Sequence, residues 1–310
     1  MNIDLVYLWV NDNDPEWLAR KNAFMGKETL PADVSCRGRF ADNDELKYSL
    51  RSVEKYAHWV RKIFIVTDKQ KPEWLDTQND QIQLIDHTQI LPEEAQPCYN
   101  SVVIEYFLYK IPNLSEHFLY VNDDMFFNAP VSPDFFFAKD GFPIVRLQNK
   151  PFGKWRYRWK NLTKKPLSTY RQTILNAALL IEKKFGVFYS GIPHHNMDAY
   201  RKSDFKNLVE KVFATEIAKQ TNNHFRTPFD IQRVVISYYV LAIKHGHLKY
   251  ANKKESCLIL LYRNNYLRIL ERYRPCLFCM NDDNLADDDD RMRAKTFLKT
   301  VFPQKSKFEK

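Results

Sequence analysis

The sequence predicts an α/β protein with a mostly parallel sheet and helices on both faces. Short apolar runs alternate with helical segments from residue 3 to about residue 125, and this alternation is typical of βαβ units. Three of the runs end in acidic or amide side chains, at Asn11-Asp12, Asp68 and Asp123-Asp124. Because open α/β sheets bind ligands beyond the carboxyl ends of their strands, these ends predict a binding site.

The first predicted strand is an apolar run at residues 3–10, rich in β-branched and aromatic residues, and it stops at the polar stretch 11–15. The later strands have the same texture and are predicted at 62–68, 81–86, 117–121 and 276–282. The last of these again ends in Asn281-Asp282.

The clearest predicted helix covers residues 41–57, with Asp42 or Asn43 as its N-cap. One apolar stripe contains Leu46, Leu50, Val53 and Ala57. A polar stripe roughly 100° away contains Asp42, Glu45, Ser49 and Ser52. The polar stripe predicts one wall of a cleft. Further helices are predicted at 100–111, 168–185, 203–220 and 229–245, and residues 20–38 are predicted as a loop.

The composition narrows the functional class. The 310 residues, 45% hydrophobic and 27% charged, suffice for one large domain or for a domain with an inserted subdomain. Neither G-x-G-x-x-G nor G-x-x-x-x-G-K-[ST] occurs, which excludes glycine-cradled dinucleotide and P-loop sites. The net charge of +9 favours an anionic partner, such as nucleic acid, anionic lipid, a nucleotide-sugar or a phosphate-bearing polymer.

The sequence features that bear on localisation lead us to expect a cytoplasmic protein. No apolar run approaches the roughly 18 residues that a transmembrane helix needs. The N-terminus Met1–Asp4 lacks a basic region, so we expect no signal peptide. Five cysteines in a chain of this size favour reduced thiols. Peripheral binding at the inner face of the cell membrane is the alternative to a purely cytoplasmic location.

Two acidic segments are candidates for chemistry. Asp123 and Asp124 end a strand, and their oxygens suit a divalent cation; the alternative is a plain turn. In residues 39–52, Glu45 can act as a general base, with Arg39 or Arg51 as a phosphate clamp. The alternative there is a capped helix with a solvated face.

Two later segments carry histidine and arginine. His194 and His195 can act in acid/base chemistry, although no zinc-ligand spacing accompanies them. Arg226 precedes a predicted helix and can bind an anion there. The alternatives are a structural histidine pair and a simple loop–helix junction. The single C-x-x-C at residues 276–279 favours core packing over zinc.

Residues 150–165 form a basic and aromatic stretch with seven basic and no acidic residues. Trp155, Tyr157 and Trp159 lie between the basic side chains. We interpret the stretch as a contact for a polyanionic acceptor, with sugar rings or the membrane interface against the aromatic faces. A solvated basic loop is the alternative.

Together these blocks resemble the Stealth family, the sugar-1-phosphate transferases of bacterial capsule and cell-surface polysaccharide synthesis, whose animal relative is the Golgi GlcNAc-1-phosphotransferase. Residues 3–15 are similar to the first family region, and 39–68 with 120–124 to the second. The third is matched by His194/His195 and Phe225-Arg226, and the fourth by 279–282.

The resemblance implies a reaction. A nucleotide-sugar, usually a UDP-sugar such as UDP-GlcNAc, passes its sugar with the attached phosphate to a hydroxyl of a capsule or lipooligosaccharide acceptor, which forms a phosphodiester. It also implies a Rossmann-like or GT-A-like sheet with a helical insertion. Residues 1–147 would form the nucleotide-sugar and metal-binding core, 148–260 a mostly helical acceptor-side subdomain, and 261–310 a return to the core with a basic tail.

The resemblance, read with the motifs, assigns roles to fifteen residues. The catalytic candidates are Glu45, Asp42, His195, His194, Arg39 and Arg226. The donor-binding candidates are Trp9, Asn11, Asp12, Asp14 and Arg51. The candidates for binding Mg²⁺ or Mn²⁺ are Asp123, Asp124, Asn281 and Asp282.

Two other functions compete with this one. The first is a metal-dependent glycosyltransferase on the same scaffold, which releases a nucleoside diphosphate. The second is a non-catalytic module that binds nucleic acid through residues 150–165. We expect no nucleic-acid partner, because the acidic strand ends would repel phosphates in the absence of a cation.

Overall fold

A computed structural model describes residues 1–26, 38, 40–155, 157, 159, 167–195 and 197–310. Its main sheet has five strands in the order β3-β2-β1-β4-β8. Four of them are parallel, and β8 runs antiparallel to β4 at one edge. Their bounds are Ile3–Leu8 for β1, Val60–Thr67 for β2, Ile82–Asp86 for β3, His117–Asn122 for β4 and Asp198–Arg201 for β8. The predicted α/β class with a mostly parallel sheet is confirmed.

The helices of the described residues cover both faces of this sheet. Along β1, Val6 packs into one hydrophobic cluster while Leu5 and Tyr7 pack into another, because successive strand residues point to opposite faces. The helices are Pro15–Met25 (α1), Glu45–Tyr56 (α2), Ser101–Tyr106 (α3), Thr169–Phe185 (α4), Lys202–Asn207 (α5), Ala214–Thr221 (α6), Val234–Ala242 (α7), Tyr266–Tyr273 (α8) and Asp288–Val301 (α9). Helix α2 packs on the Leu5 face, and α3, α4 and α7 pack on the Val6 face.

Two smaller sheets complete the fold. One has the order β10-β11-β5, and the other has the order β7-β6-β9. Their strands are Met125–Phe127 (β5), Ile144–Gln148 (β6), Ile192–Pro193 (β7), His247–Tyr250 (β9), Ser256–Leu260 (β10) and Leu277–Asn281 (β11). The late strand predicted at 276–282 therefore exists as β11, but it pairs with β10 and β5 and lies outside the main sheet.

Several predicted boundaries are wrong. The segment predicted as a loop from residue 20 begins inside α1, which starts after an Asp14 cap and runs to Met25. Helix α2 starts at Glu45, and its N-cap is Asp44 in a left-handed conformation, so Asp42 and Asn43 precede the helix. The helix predicted at 203–220 is interrupted by a π-helical turn at Leu208–Val212.

The helices predicted at 100–111 and 229–245 are shorter than expected. Helix α3 ends at Tyr106, and a 3₁₀ turn at Leu108–Lys110 follows. Helix α7 begins at Val234. The apolar stripe of α2 is confirmed, because Leu46, Leu50, Val53 and Ala57 are buried. The polar stripe is confirmed in part: Glu45, Ser49 and Ser52 are buried, but Asp42 precedes the helix.

The predicted segments 1–147 and 148–260 share one hydrophobic core. The cluster around Val6 and Phe64 also contains Ile174 of α4 and Tyr238 of α7. Strand β8, from the later segment, adds to the main sheet beside β4. Across the described ranges, no helix is long and apolar enough to cross a membrane.

Candidate functional site

A cavity of about 640 Å³ lies beyond the carboxyl ends of β1, β2 and β4. Strands β2 and β3 lie on one side of β1 and β4 lies on the other, so the cavity opens where the strand order reverses, the usual ligand position in such sheets. The predicted site residues that line it are Trp9, Glu45, Asp123, Asp124, His194, His195, Arg226, Asn281 and Asp282. Arg39 lies outside the described residues.

Glu45 is fixed at the start of α2. The backbone N–H of Asn43 donates to its Oε2 at 2.6 Å, and the side-chain amide of Asn43 donates to its Oε1 at 2.7 Å. Burial and, to a smaller extent, the nearby Asp42 carboxylate outweigh the Asn43 hydrogen bonds and raise the pKa of Glu45 to about 7. A carboxyl group with a pKa near neutrality can both accept and return a proton.

Asp42 does not line the cavity but lies close enough to shape its electrostatics. Burial raises the pKa of Asp42 to about 6, with a further contribution from Asp44. The charge of Asp42 in turn raises the pKa values of Glu45 and Asp123. The structure therefore places Asp42 behind the cavity wall.

Asp123 and Asp124 form the tight turn between β4 and β5. Burial holds the pKa of Asp123 well above its usual range, and Glu45 and Asp124 add to the shift. Burial also raises the pKa of Asp124 to about 6, against a hydrogen bond that the Cys279 thiol donates to its Oδ2 at 3.2 Å. The other oxygen, Oδ1, is buried and accepts no hydrogen bond in the described part of the chain.

The predicted metal ligands fit a cation in part. The lone buried oxygen of Asp124 and the crowded charges around Asp123 suit a hard cation. Asp282 does not fit, because Arg291 Nε and Nη2 donate to its two oxygens at 2.7 and 3.0 Å. Among the described residues, no three His, Cys, Asp or Glu side chains converge as a ready metal site. The Mg²⁺ or Mn²⁺ assignment stays a prediction.

His194 and His195 both line the cavity in neutral form. Burial and, to a smaller extent, the neighbouring His195 lower the pKa of His194 to about 4. Burial also lowers the pKa of His195, whose backbone carbonyl accepts a hydrogen bond from Ser256 at 3.2 Å. Both rings are therefore unprotonated near neutral pH, which leaves a ring nitrogen free to act as an acceptor but makes the ring a weaker base, and the choice between the two stays open.

Arg226 supplies a cation to the cavity. Its guanidinium donates to the hydroxyl of Ser101, and it forms no ion pair with a described carboxylate. The buried Asp230 fixes the surrounding loop, because it accepts hydrogen bonds from Asn100 Nδ2 at 2.9 Å, Asn223 Nδ2 at 2.6 Å and the Thr227 backbone at 2.9 Å. Arg226 is thus held in place with its charge available to an anion.

The comparisons with known proteins bear on this arrangement. Residues 1–29 match the family model of Stealth protein CR1, conserved region 1, and residues 39–145 match that of Stealth protein CR2, conserved region 2. Capsular polysaccharide phosphotransferase fcs1 of Haemophilus influenzae is 33% identical over 92% of this chain and 79% of its own length. The chain belongs to the Stealth family.

A second capsular polysaccharide phosphotransferase is similar to this Stealth protein over most of its length, and a solved structure shares a more distant likeness. Capsular polysaccharide phosphotransferase LcbA of Aeromonas hydrophila is 31% identical over 97% of this chain and 84% of its own. The solved structure of galactosyltransferase LgtC with donor and acceptor sugar analogues has a TM-score of 0.48 at 11% identity, over 98% of this chain and 96% of LgtC. The predicted Stealth family is confirmed, and the names of the two phosphotransferase relatives support a transferase activity.

The structure does not bring Arg51 of this Stealth protein to the cavity. Its Nε and Nη2 donate to Glu309 at 2.7 and 2.8 Å, and its Nη1 donates to the carbonyl of Phe302 at 2.7 Å. The guanidinium therefore fastens α2 to residues 302–309, and the predicted phosphate clamp at Arg51 is corrected.

Three other predicted donor-binding residues also lie off the cavity lining. Asn11 and Asp14 share the side-chain amide of Gln70, at 2.8 Å to the Asn11 carbonyl and 2.9 Å to Asp14 Oδ2. Asp14 also caps α1. The backbone N–H of Asp12 donates to Phe40 at 2.9 Å. These residues shape the turn after β1, and Trp9 alone of the predicted donor-binding set lines the cavity.

A buried network in the cavity wall escaped the sequence analysis. Arg233 donates to Glu105 Oε2 at 3.1 Å and to Asp198 Oδ2 at 2.7 Å, and it lies over the ring of Tyr120 at 3.9 Å. Tyr120 donates to Glu105 at 2.9 Å, and its hydroxyl lies 2.8 Å from Asn122 Oδ1. The network supports the strand end that carries Asp123. Tyr120 and Asn122 lie in the segment 120–124 that resembles the second family region, but no local motif marks Glu105, Asp198 and Arg233, which are distant from one another in sequence.

The described residues of the basic and aromatic stretch do not line the cavity. Phe152, Trp155 and Trp159 are 79%, 71% and 70% exposed. Lys154 pairs with Glu182 of α4. Arg156, Arg158, Lys160, Lys164 and Lys165 are outside the described residues. The predicted acceptor contact is neither confirmed nor contradicted by these positions.

Proposed function

We propose that this chain transfers a sugar-1-phosphate from a nucleotide-sugar, a UDP-sugar in the first instance, to a hydroxyl of a cell-surface glycan. The observation that supports this is a cavity lined both by the buried carboxyl groups of Asp123 and Asp124 and by Arg226, which has no ion pair with a carboxylate of the described residues. The named activity of the relatives, capsular polysaccharide phosphotransferase, agrees with it. The acceptor hydroxyl attacks the phosphorus nearest the sugar, the nucleoside monophosphate leaves, and a phosphodiester forms.

Asp123 and Asp124 would hold Mg²⁺ or Mn²⁺, since carboxylate oxygens are the ligands that these ions prefer. A bound cation would supply positive charge to the donor diphosphate. Asn281 lines the same part of the cavity, because the Met280 backbone N–H donates to the Asp124 carbonyl at 2.9 Å and thereby joins β11 to the turn.

Glu45 is the proposed base for the acceptor hydroxyl. Its buried carboxyl has a pKa of about 7, so a large fraction is ionised near neutral pH and can take a proton. His195 or His194, both neutral, is the second candidate for proton transfer. Arg226 would stabilise the charge that develops on the transferred phosphoryl group.

The experiment that tests this proposal is a donor panel. The purified chain is incubated with several nucleotide-sugars, Mg²⁺ and oligosaccharide acceptors, and the released nucleotide is identified. Release of UMP with a phosphodiester signal in phosphorus NMR supports the proposal. Release of UDP would instead identify a glycosyltransferase that breaks the sugar–phosphate bond.

We also propose a cytoplasmic location with a peripheral membrane contact. The four described cysteines, Cys98, Cys257, Cys276 and Cys279, are free thiols, as expected in a reducing compartment. Phe152, Trp155 and Trp159 offer exposed aromatic faces of the kind that enter a membrane interface. Fractionation of cells after a salt wash tests this location: recovery of the chain in the periplasm would contradict it.

A further inference from the structure

Strand β5 directly follows the turn formed by Asp123 and Asp124, and its two edges have different neighbours. On one edge β5 pairs antiparallel with β11, and the Asp124 carbonyl accepts from the Met280 N–H at 2.9 Å. Because the backbone groups of successive strand residues point to opposite edges, the Met125 carbonyl and the Phe127 N–H point away from β11. These two groups need partners from elsewhere in the chain.

Two serines of α2 supply these partners. Ser49 Oγ donates to the Met125 carbonyl at 2.5 Å. Ser52 Oγ accepts from the Phe127 N–H at 3.0 Å and donates to the Ser49 carbonyl at 2.6 Å. The Tyr7 hydroxyl of β1 lies 2.8 Å from Ser49 Oγ. The helix therefore takes the place of a neighbouring strand along this edge of β5.

Apolar packing alone does not explain hydroxyl groups at this contact. Both serines are 0% exposed, and serine is a poorer helix former than alanine. Burial of a hydroxyl costs free energy unless the group is hydrogen-bonded, so two serines between helix and strand indicate a directional requirement. Apolar contacts are non-directional and would let α2 slide along β5, whereas hydrogen bonds to two backbone groups select one position.

The same face of α2 carries Glu45. Positions 45, 49 and 52 are spaced as i, i+4 and i+7, which places them on one side of a helix. Glu45 and Asp123 line the same cavity and interact through their charges. Ser49, Ser52 and Tyr7 do not belong to the cavity lining. The serines therefore join the helix that carries the proposed base to the strand that follows the carboxylates, without contacting a ligand themselves.

We propose that Ser49 and Ser52 are positioning residues that set the register of α2 against β5 and thereby fix the distance from the Glu45 carboxylate to the Asp123–Asp124 turn. The inference rests on the proposed function, because it takes Glu45 as the base for the acceptor hydroxyl. Transfer requires the base and the donor at a fixed separation, and a misplacement of about 1 Å can cost roughly 10²-fold in rate. A hydroxyl that contacts no ligand can therefore control kcat.

Ser49→Ala tests the proposal, with Thr221→Ala as the matched control. The Thr221 hydroxyl is also buried on a helix and donates to the Ile217 carbonyl at 3.0 Å. Each variant loses a buried hydrogen bond, so both melting temperatures should fall by similar amounts. Ser49→Ala should also lower kcat by about 10-fold to 10²-fold with an almost unchanged donor KM, whereas Thr221→Ala should keep the native kcat. Steady-state kinetics and thermal melting measure these effects.

Hydrogen exchange followed by mass spectrometry reports on the register without turnover. Ser49→Ala should speed amide exchange in residues 123–127 and in the first turn of α2, and Thr221→Ala should not. If the native chain turns over no nucleotide-sugar, the proposed function fails, and the exchange measurement alone decides whether the serines fix the register.

The proposal is overturned if Ser49→Ala keeps the native kcat, if Thr221→Ala lowers kcat equally, or if exchange in residues 123–127 does not change. Should Ser49→Ala fail to fold, Ser52→Ala takes its place with the same expectations, because it removes the acceptor of the Phe127 N–H. Failure of both variants to fold would also overturn the proposal, since stability alone would then account for the two serines.

Discussion

The acidic turn (Asp123 and Asp124) and the arginine loop (residues 223–230) line the same cavity but differ in how their charges are satisfied. In the turn, burial raises the pKa values of both carboxyl groups, Glu45 and Asp124 raise that of Asp123 further, and Asp124 Oδ1 has no hydrogen bond in the described chain. In the loop, Asp230 accepts several hydrogen bonds and fixes the backbone around Arg226. Under the proposed function, the turn would take a cation and the loop an anion, and a donor diphosphate with its cation would supply both.

The largest expected effect comes from the turn. Asp124→Ala should abolish turnover, a fall of at least about 10³-fold, because the donor diphosphate loses its cation ligand. The fold should survive, since the change removes a buried carboxylate whose Oδ1 accepts no hydrogen bond in the described ranges. Steady-state kinetics and thermal melting measure the two effects.

The control for this variant is Asp134→Ala, an exposed aspartate, which should keep normal turnover. Removal of divalent cations with EDTA should mimic Asp124→Ala. Full activity in EDTA would show that the turn does not act through a metal.

Glu45→Gln should reduce kcat by about 10²-fold or more if the carboxylate accepts the acceptor proton. The amide keeps the size of the side chain and most of its contacts with Asn43, so substrate affinity should change little. In the native chain, activity should rise with pH through about 7, the pKa of Glu45. A native rate for this variant would remove Glu45 from the mechanism.

Arg226→Ala tests the arginine loop and should lower kcat/KM for the donor by about 10-fold to 10²-fold, because one charge-assisted contact to phosphate is lost. The melting temperature should hardly move, since Arg226 has no described carboxylate partner. Arg51→Ala is the matched arginine variant. It should leave donor affinity intact and cost about 3 kcal/mol of stability, because it breaks a buried pair with Glu309.

Stability should also depend on pH through Glu45. Its pKa in the folded chain is about 7 against an ordinary value of 4.5, so the folded state holds the proton more tightly than the unfolded state. The stabilisation is complete below about 4.5 and is lost as the pH rises through about 7, by on the order of 2–3 kcal/mol. Thermal melting in EDTA should show this loss in the native chain and a flatter profile in Glu45→Gln. If the native chain and Glu45→Gln lost the same stability as the pH rises, the raised pKa of the buried Glu45 carboxyl would be contradicted.

The smallest effect is expected from the basic and aromatic stretch. Replacement of Lys154, Arg156 and Arg158 with Ser should raise the acceptor KM a few-fold and weaken its salt dependence, while the donor KM stays almost unchanged. A fall in donor binding with intact acceptor binding would assign the stretch to the nucleotide site instead. Initial rates at several salt concentrations distinguish the two outcomes.

The residues that end the strands and the polar stripe of α2 predicted several of the acidic side chains that line the cavity. Alternating apolar runs indicated the parallel sheet, and the residues after each run indicated which side chains meet at its edge. That reasoning placed Glu45, Asp123 and Asp124 together, and the structure brings all three to one cavity, whereas the strand ends at Asn11-Asp12 and Asp68 do not line it. Trp9, which also lines the cavity, was assigned only through the family resemblance.

The remainder depends on contacts between distant segments. Arg51 has the sequence context of a clamp, but its partner Glu309 lies 258 positions away. Arg233 and Glu105 are 128 positions apart, and neither lies in a recognisable motif. Pairings at such separations leave no periodic pattern in the sequence.

The antiparallel pairing of β8 with β4 has a consequence for any division of the polypeptide. It sets His194 and His195, just upstream of β8, beside the strand that delivers Asp123. The cavity is therefore assembled from stretches spread between residues 8 and 284, and no half of the chain contains it. Two fragments separated by proteolysis near residue 150 would have to reassociate through this strand pair before either could hold a ligand.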